Sequence, residues 1–235
     1  MRLNYKKNLE REDLNLEKFG LFRGISEESL STFNENIEVR KYRKGTLLSA
    51  ENKKAEHLYI VLEGLVKLFK QLEDRSEVII HIKGKNDIAG NPGFIEDECA
   101  HLSAKAVTDI KVAMIPADIL MSIIKKDPVF AQNTVEQMCR RLIAAEEKIK
   151  ELSSEDSYSR VAKELLKFED YYKMELENGT VFNLGISRSE FASIVGISRE
   201  MVSRILSSFA ESGIISVSGK NIRLLDREKL ESWVL

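Results

Sequence analysis

The spacing of hydrophobic and polar residues divides the chain into stretches of different period. Residues 1 to about 36 are a polar lead followed by short helical pieces, anchored by Leu14, Phe19, Leu21, Phe22, Leu30 and Phe33, with Ser26-Glu27-Glu28 as a helix start. From 37 to 116 the period becomes strand-like: residues 39–42, 57–62, 65–69, 78–82 and 110–115 are short runs rich in β-branched and aromatic side chains. Lys44-Gly45, Glu63-Gly64, Glu73-Asp74 and Gly84-Lys85-Asn86-Asp87 supply turns between them. Many short strands at this spacing predict a sandwich or a barrel-like roll.

Asp127-Pro128 opens a long helix, because proline suits the first turn and an aspartate ahead of it complements the positive end of the helix dipole. Within it Val135, Met138, Leu142, Ala145, Ile149 and Leu152 recur at alternating steps of three and four, a heptad seam. Arg140, Arg141, Glu146, Glu147, Lys148 and Lys150 flank that seam. A helix packed only on its own domain usually shows a broader apolar stripe, so the narrow seam predicts a parallel dimer. Ser153-Ser154-Glu155-Asp156 interrupts the seam with capping groups and is read as a hinge, and 157 to about 174 is a further helix with Val161, Leu165, Leu166 and Phe168 toward a core.

The stretch 187–213 predicts two short helices joined by a tight turn. Ser187 with Glu190 three residues on is a capping box, Gly196 supplies the reversal, and Ser198 caps a second helix that runs to about Glu211 and stops at Gly213. On that second helix Val202, Ile205, Leu206 and Phe209 share one side, while Arg199, Glu200, Ser203 and Arg204 spread over the other. Arginines, a carboxylate and a short hydroxyl near a helix N-terminus are the groups that bond guanine O6 and N7, the cytosine amine and phosphate. Residues 214–225 then form a small hairpin turning at Ser218-Gly219-Lys220-Asn221, a wing whose lysine reaches either phosphate or only solvent.

Counting from Arg188, Ala192 at the fifth place, Gly196 at the ninth, Val202 at the fifteenth and Ile205 at the eighteenth match the helix-turn-helix pattern of bacterial regulators. The string Ile197-Ser198-Arg199-Glu200-Met201-Val202-Ser203-Arg204 resembles the recognition helix of the cyclic-AMP receptor protein and fumarate-nitrate regulator family, the Crp-Fnr family. The order of the strands, and the glycines at 45, 64 and 90, are similar to that family's jelly-roll cyclic-nucleotide-binding domain, so the likeness covers nearly the whole chain. It implies an α+β fold with a β-roll sensor over 1–126, a dimerisation helix over 127–153 and a winged helix-turn-helix over 154–235. The DNA-binding residues it implies are Ser187, Ser189, Ser198, Arg199, Glu200, Ser203, Arg204 and Lys220. Glu200 would accept from a cytosine amine, Arg204 would reach guanine and phosphate, Ser203 would read a thymine-side edge, and Arg199 would contact guanine or the backbone. The pattern implies a palindromic operator in double-stranded DNA with TTGA- or TGTGA-like half-sites, a homodimer to bind it, and RNA polymerase as a further partner.

Charge sharpens the dimer expectation. The whole chain has a formal net charge of −2, and from Ser187 onward seven basic side chains face six acidic ones, so affinity must come from placement and from a second subunit. No stretch approaches the ~20 apolar residues of a membrane span, and the first residues lack the apolar core of a signal peptide, so a cytoplasmic location and no membrane partner are expected. The two cysteines, Cys99 and Cys139, are too few for a disulfide framework or a four-cysteine metal site, and each is read as a small buried side chain.

The effector is where this chain departs from the pattern it resembles. The cyclic-nucleotide branch holds its ligand with a glycine-glutamate pair at the ribose and an arginine-serine pair at the phosphate. Aligned on Gly90 and on Ala104-Lys105-Ala106, this chain has Asn91 in place of the glutamate and Ala100-His101 in place of the arginine and serine. A buried phosphate without that arginine would be largely unpaired, at a cost of several kcal/mol. On the long helix Ala145-Glu146 replaces the hydroxyl pair that reaches the base. Cyclic AMP and cyclic GMP are therefore not expected. Nor is an iron-sulfur cluster, since residues 1–36 contain no cysteine. Haem stays open: Cys99 and His101 could be axial ligands, about two residues from where the carbon-monoxide-sensing branch would place them. His57 and His81 are read as strand residues. The candidate pocket is Gly90, Asn91, Ala100, His101 and Arg141, for a small anion or metabolite of unknown identity, if any; a redox event at Cys99 is the other option.

Two other function classes remain. For an enzyme the sequence offers no Ser/His/Asp order, paired-carboxylate motif or phosphate-cradling loop, and its three histidines all fall in the roll. A ligand-binding module with a vestigial helix-turn-helix is the second. A haem- or redox-dependent gas or stress sensor is a variant of the regulator itself.

Overall fold

The computed structural model describes residues 14–73, 77–90, 99–172, 174–176, 179–183 and 186–234. Asp74 of a predicted turn and Asn91 of the predicted pocket lie outside them. The chain divides into two compact units, Met1–Leu68 with Lys83–Leu142, and Phe69–Ile82 with Ile143–Leu235.

In the first unit two 3-10 turns, Leu16–Lys18 and Gly20–Phe22, lead into α1 (Glu27–Asn36). The Ser26 hydroxyl caps α1 by accepting from the Ser29 amide. Strands β1 (Glu38–Tyr42), β2 (Leu47–Ser49), β3 (His57–Glu63), β4 (Val66–Gln71), β5 (Glu77–Lys83), β6 (Ile88–Ala89), β7 (Ser103–Ala106) and β8 (Ile110–Pro116) follow, of which the second half of β4 and nearly all of β5 fall in the second unit. They form two four-stranded sheets, in the orders β1-β8-β3-β6 and β2-β7-β4-β5. The five predicted runs are all strands. The three strands that sequence reading missed are very short or, as in Ser-Ala-Lys-Ala of β7, built from residues with little strand preference.

β3 and β8 are buried on both faces, which is why they read as continuous apolar runs rather than as alternation. On one face Tyr59, Val61, Val112 and Met114 pack with Val66 and Leu68 of β4 inside the roll. On the other, Leu58, Ile60, Ala113 and Ile115 meet a helical layer. Its centre is a cluster of Phe22, Phe33 and Phe130, with Phe22 and Phe33 edge-on at 5.0 Å and Phe33 and Phe130 at 5.1 Å. Part of that layer is α2 (Ala117–Lys126), a helix absent from the expectations above although Leu120 and Ile123 carry the helical spacing. At Gly64, φ is +81° and an added Cβ would sit 2.3 Å from the Asp109 carbonyl, so the turn after β3 has room for glycine alone.

α3 (Pro128–Ser154) begins where predicted. Asp127 does more than complement its dipole. One carboxylate oxygen accepts from the amides of Val129 and Phe130 at 3.0 and 3.1 Å, and the other accepts from the amide and hydroxyl of Ser26, both at 2.9 Å. Burial pushes the Asp127 carboxyl up, but bonds from the Ser29 and Ser26 hydroxyls and from the Ser26 and Phe130 amides outweigh it and hold the group below the usual carboxylate range.

The break expected at 153–156 is shorter than read. Ser153 and Ser154 stay in the last turn of α3 by donating to the carbonyls of Ile149 and Lys150, each at 2.8 Å. Only Glu155 and Asp156 are non-helical before α4 (Ser157–Tyr172). Asp156 caps α4 by accepting from the amides of Tyr158 and Ser159 at 2.7 and 2.9 Å. Lys163 bridges Glu155 at 2.5 Å and Glu151 at 3.6 Å, tying the end of α3 to α4.

The rest of the second unit is β9 (Met174–Leu176), β10 (Gly179–Asn183), α5 (Arg188–Val195), α6 (Arg199–Glu211), β11 (Ile215–Ser218), β12 (Asn221–Leu224) and α7 (Arg227–Glu231). α4 ends two residues before the predicted boundary because β9 starts at Met174. The sheet order β11-β12-β10-β9 joins the predicted hairpin to a second one that sequence reading did not find. Arg227 of α7 pairs with Glu169 of α4, a carboxylate that is 2% exposed and so requires that partner.

Candidate nucleic-acid interface

The helix pair is built as its sequence dictates. The Ser187 hydroxyl accepts from the Glu190 amide at 3.2 Å, and Glu190 accepts back from the Ser187 amide at 2.9 Å, which satisfies two donors at the start of α5. Gly196 ends α5 with φ +76°. Glycine is required there twice over: the backbone is left-handed, and an added Cβ would lie 2.6 Å from Leu152 Cδ2. The Ser198 hydroxyl accepts from the Met201 amide at 3.1 Å and starts α6. From α4, Arg160 Nη1 donates to the Val195 and Gly196 carbonyls at 3.2 and 3.4 Å, holding the turn from outside.

Packing then decides which face is presented. Val202, Ile205, Leu206 and Phe209 are buried, with Phe191, Ala192 and Val195 of α5 among the core residues around them. Arg199, Glu200, Ser203 and Arg204 are all exposed on the other side of α6. The Ser203 hydroxyl donates to the Arg199 carbonyl at 3.0 Å and keeps its lone pairs for an incoming donor. A guanidinium pair and a carboxylate on one exposed helix face can hydrogen-bond base edges.

Beside α6 lies a cleft of about 330 Å³ lined by Ser187, Arg188, Ser189, Arg199, Gly219 and Lys220. It collects the first turns of both helices and the tip of the β11–β12 wing, with the cationic side chains of Arg188, Arg199 and Lys220 on its walls. Ser189 and Lys220 are exposed, and Ser187 is half-buried because it caps. Arg188 is a residue the sequence reading counted but did not assign; its Nη2 donates to the Gly219 carbonyl at 3.2 Å. Ser193 of α5 was also overlooked: its hydroxyl accepts from the Ile79 amide of β5 at 3.0 Å.

The predicted seam is laid out along α3. Val135, Leu142 and Ile149 are 62%, 61% and 65% exposed, and Leu152 is 47% exposed. Met138 is half-buried and Ala145 exposed. Large apolar side chains thus repeat along one exposed face of α3, the kind of surface on which proteins associate.

The roll gathers less. Gly90 is buried with φ +94°, and Ala100 is buried, its amide donating to the Lys53 carbonyl at 2.7 Å and its carbonyl accepting from the Asn52 amide at 2.8 Å. Both backbone groups of Ala100 are thus taken, and its side chain offers a phosphate nothing. Arg141 and His101 are exposed. Among the described residues of the predicted pocket, neither buried Ala100 nor exposed His101 supplies a buried cation for a cyclic phosphate. Of the two haem-ligand candidates, Cys99 forms a single bridge with Lys54 and His101 sits in a bend, both in solvent. Cys99 and Cys139 are exposed, not buried as their chemistry suggested: Cys139 faces outward from α3 beside the seam, and Cys99 lies in a surface connection. Among the described residues no cluster of three or more His, Cys, Asp or Glu could hold a metal ion, and no helix is long and apolar enough to cross a membrane.

Comparison with known proteins finds matches to both parts of the chain. Residues 39–127 match the family described as cyclic nucleotide-binding domain, and residues 159–233 match the Crp-like helix-turn-helix domain. The chain is 30% identical over 196 residues to the cAMP-activated global transcriptional regulator CRP of Salmonella typhimurium, covering 83% of this chain and 92% of that one. It is 26% identical over 215 residues to the CRP-like cAMP-activated global transcriptional regulator of Mycobacterium tuberculosis, covering 92% and 96%. The structure of FixK2 from Bradyrhizobium japonicum superposes with a TM-score of 0.73 at 26% identity, over 85% of this chain and 98% of the other.

Proposed function

We propose, for a chain that belongs to the Crp-Fnr family of DNA-binding transcription regulators, that it reads a palindromic operator as a homodimer without a cyclic nucleotide as its effector. The observation that carries the reading is the exposed row Arg199, Glu200, Ser203 and Arg204 on a helix whose other face is core. With α6 in the major groove, Glu200 accepts from the amine of a cytosine paired with guanine, and Arg204 donates to guanine and phosphate. Ser203 reads a thymine-side edge, and Arg199 adds a guanine or backbone contact. The shared element of the half-sites is GA, in a TTGA- or TGTGA-like context.

Two-fold reading follows from the exposed seam. Two α3 helices pairing in parallel through Val135, Met138, Leu142, Ala145, Ile149 and Leu152 set two α6 helices on successive major grooves, roughly 34 Å apart. The cleft beside α6, with Ser187, Ser189, Ser198 and Lys220 around it or near it, grips the backbone and fixes the register. The dimer so placed acts on RNA polymerase at a promoter. The relatives named above are cAMP-activated, but Ala100 and the exposed His101 supply neither the cation nor the enclosure a cyclic phosphate needs. The roll therefore answers to a different small anion or metabolite, to a redox event at the exposed Cys99, or to no ligand.

Selection from randomised duplexes tests this reading. It should enrich a palindrome whose two GA-containing half-sites lie about 10 base pairs apart centre to centre, equally with and without cyclic AMP. A single asymmetric site would contradict the dimer, and enrichment that requires cyclic AMP would overturn the effector reading.

A further inference from the structure

We propose that Arg188 is a positioning residue of the reader: it ties the tip of the wing to the first turn of α5, and the wing's grip on DNA depends on that tie. The wing is a short hairpin, β11 with β12, whose last paired residues are Ser218 and Asn221. β12 is anchored along its whole length, since it also pairs with β10 from Thr180↔Leu224 to Asn183↔Asn221. Beyond the last pair lies the two-residue turn Gly219, at φ +61°, and Lys220, closed by Ser218↔Asn221. The ladder closes this turn but does not set how close its outer side stands to the first turn of α5. The holding bond is Arg188 Nη2 to the Gly219 carbonyl, 3.2 Å, across 31 positions of sequence.

The side chain suits a strut more than a free contact. Arg188 is half-buried, and burial pushes its guanidinium pKa down while leaving the group charged. It lines the cleft shared by Ser189, Arg199 and Lys220, so it fixes one wall of the space in which Lys220 would meet a phosphate. A cation that only touched DNA would contribute independently of Lys220. A strut makes the contribution of Lys220 conditional on itself.

The proposal rests on the reading that the wing meets the DNA backbone, and a double-mutant cycle on the full chain separates the two. The measurement is fluorescence anisotropy on the selected palindrome, with salt varied. In the parent protein Lys220→Ala should weaken binding by about 3- to 10-fold and remove about one phosphate contact per protomer from the salt slope. In the Arg188→Ala and Arg188→Lys backgrounds the same change should cost less than about 2-fold and leave the slope unchanged, because the turn no longer holds Lys220 against the cleft. An equal fold-loss in every background overturns the tie and makes Arg188 an independent contact. No loss in the parent protein means that the wing does not touch DNA, and the proposal falls with that reading. Thermal melting accompanies each variant; if Arg188→Ala melts well below the parent, the Arg188→Lys series, which keeps charge and bulk, decides.

Discussion

In the second unit the groups assigned to DNA lie between Ser187 and Lys220, and neighbours in sequence place them: Ser187 and Ser198 cap the helices that carry them, and Gly196 makes the turn between. In the first unit the groups assigned to an effector come from positions 90, 100, 101 and 141, and the fold leaves two of them exposed and commits the backbone of a third to Lys53 and Asn52. Both units have buried cores. Among the described residues, what differs is whether side chains able to bond a ligand converge. A surface whose chemistry comes from one continuous motif can be inferred from its residues, whereas a pocket assembled from distant segments has to be seen.

The strongest challenge to the reader side is to remove its second copy. Leu142→Glu puts a charge into the middle of the seam, and should give a folded monomer that binds a palindrome about 100-fold or more weakly, since the linked second half-site is lost. A species that still sediments as a dimer would refute the α3 interface and with it the reason a near-neutral chain can bind DNA tightly.

A smaller effect sharpens the contrast from the roll side. Asp127 joins two distant segments, α1 through Ser26 and α3 through Val129 and Phe130, so Asp127→Ala should cost the first unit about 2 to 3 kcal/mol in denaturant unfolding. Sequence preference on DNA should not move. Because the native carboxyl is held below its ordinary range, its contribution is fully present above about pH 4 and is lost as the pH falls further. The parent should therefore lose stability on acidification faster than the variant; parallel pH profiles would show that Asp127 carries no such linkage.

Much of the fold was legible because its signals are local. The five longest strands of the roll, the start of α3, the capping box and the left-handed turn at Gly196 each announce themselves within a few residues. The strands that escaped notice are the short β2 and β6 and the small-residue β7, which owe their existence to pairing partners and not to their own composition. In the candidate interface the same line holds. That Arg199, Glu200, Ser203 and Arg204 share the exposed face of α6 followed from helical spacing. Arg188 and Arg160 did not, because each acts on a carbonyl 31 or more positions away, and no local pattern records such a bond. The cysteines misled for a related reason: a thiol is usually buried, but Cys139 lies on the outer side of a helix whose burial depends on a partner.

The central claim is that α6 reads bases and does not merely rest on phosphates, and Glu200 tests it alone. Fluorescence anisotropy at fixed salt, on operators in which each base pair of a half-site is replaced in turn, should show that Glu200→Ala loses discrimination at one guanine-cytosine pair by about 1 to 3 kcal/mol and keeps it elsewhere. Uniform weakening on every operator, with the pattern of preference intact, would mean that Glu200 does not read a base and would contradict the assignment of α6 as the reading helix.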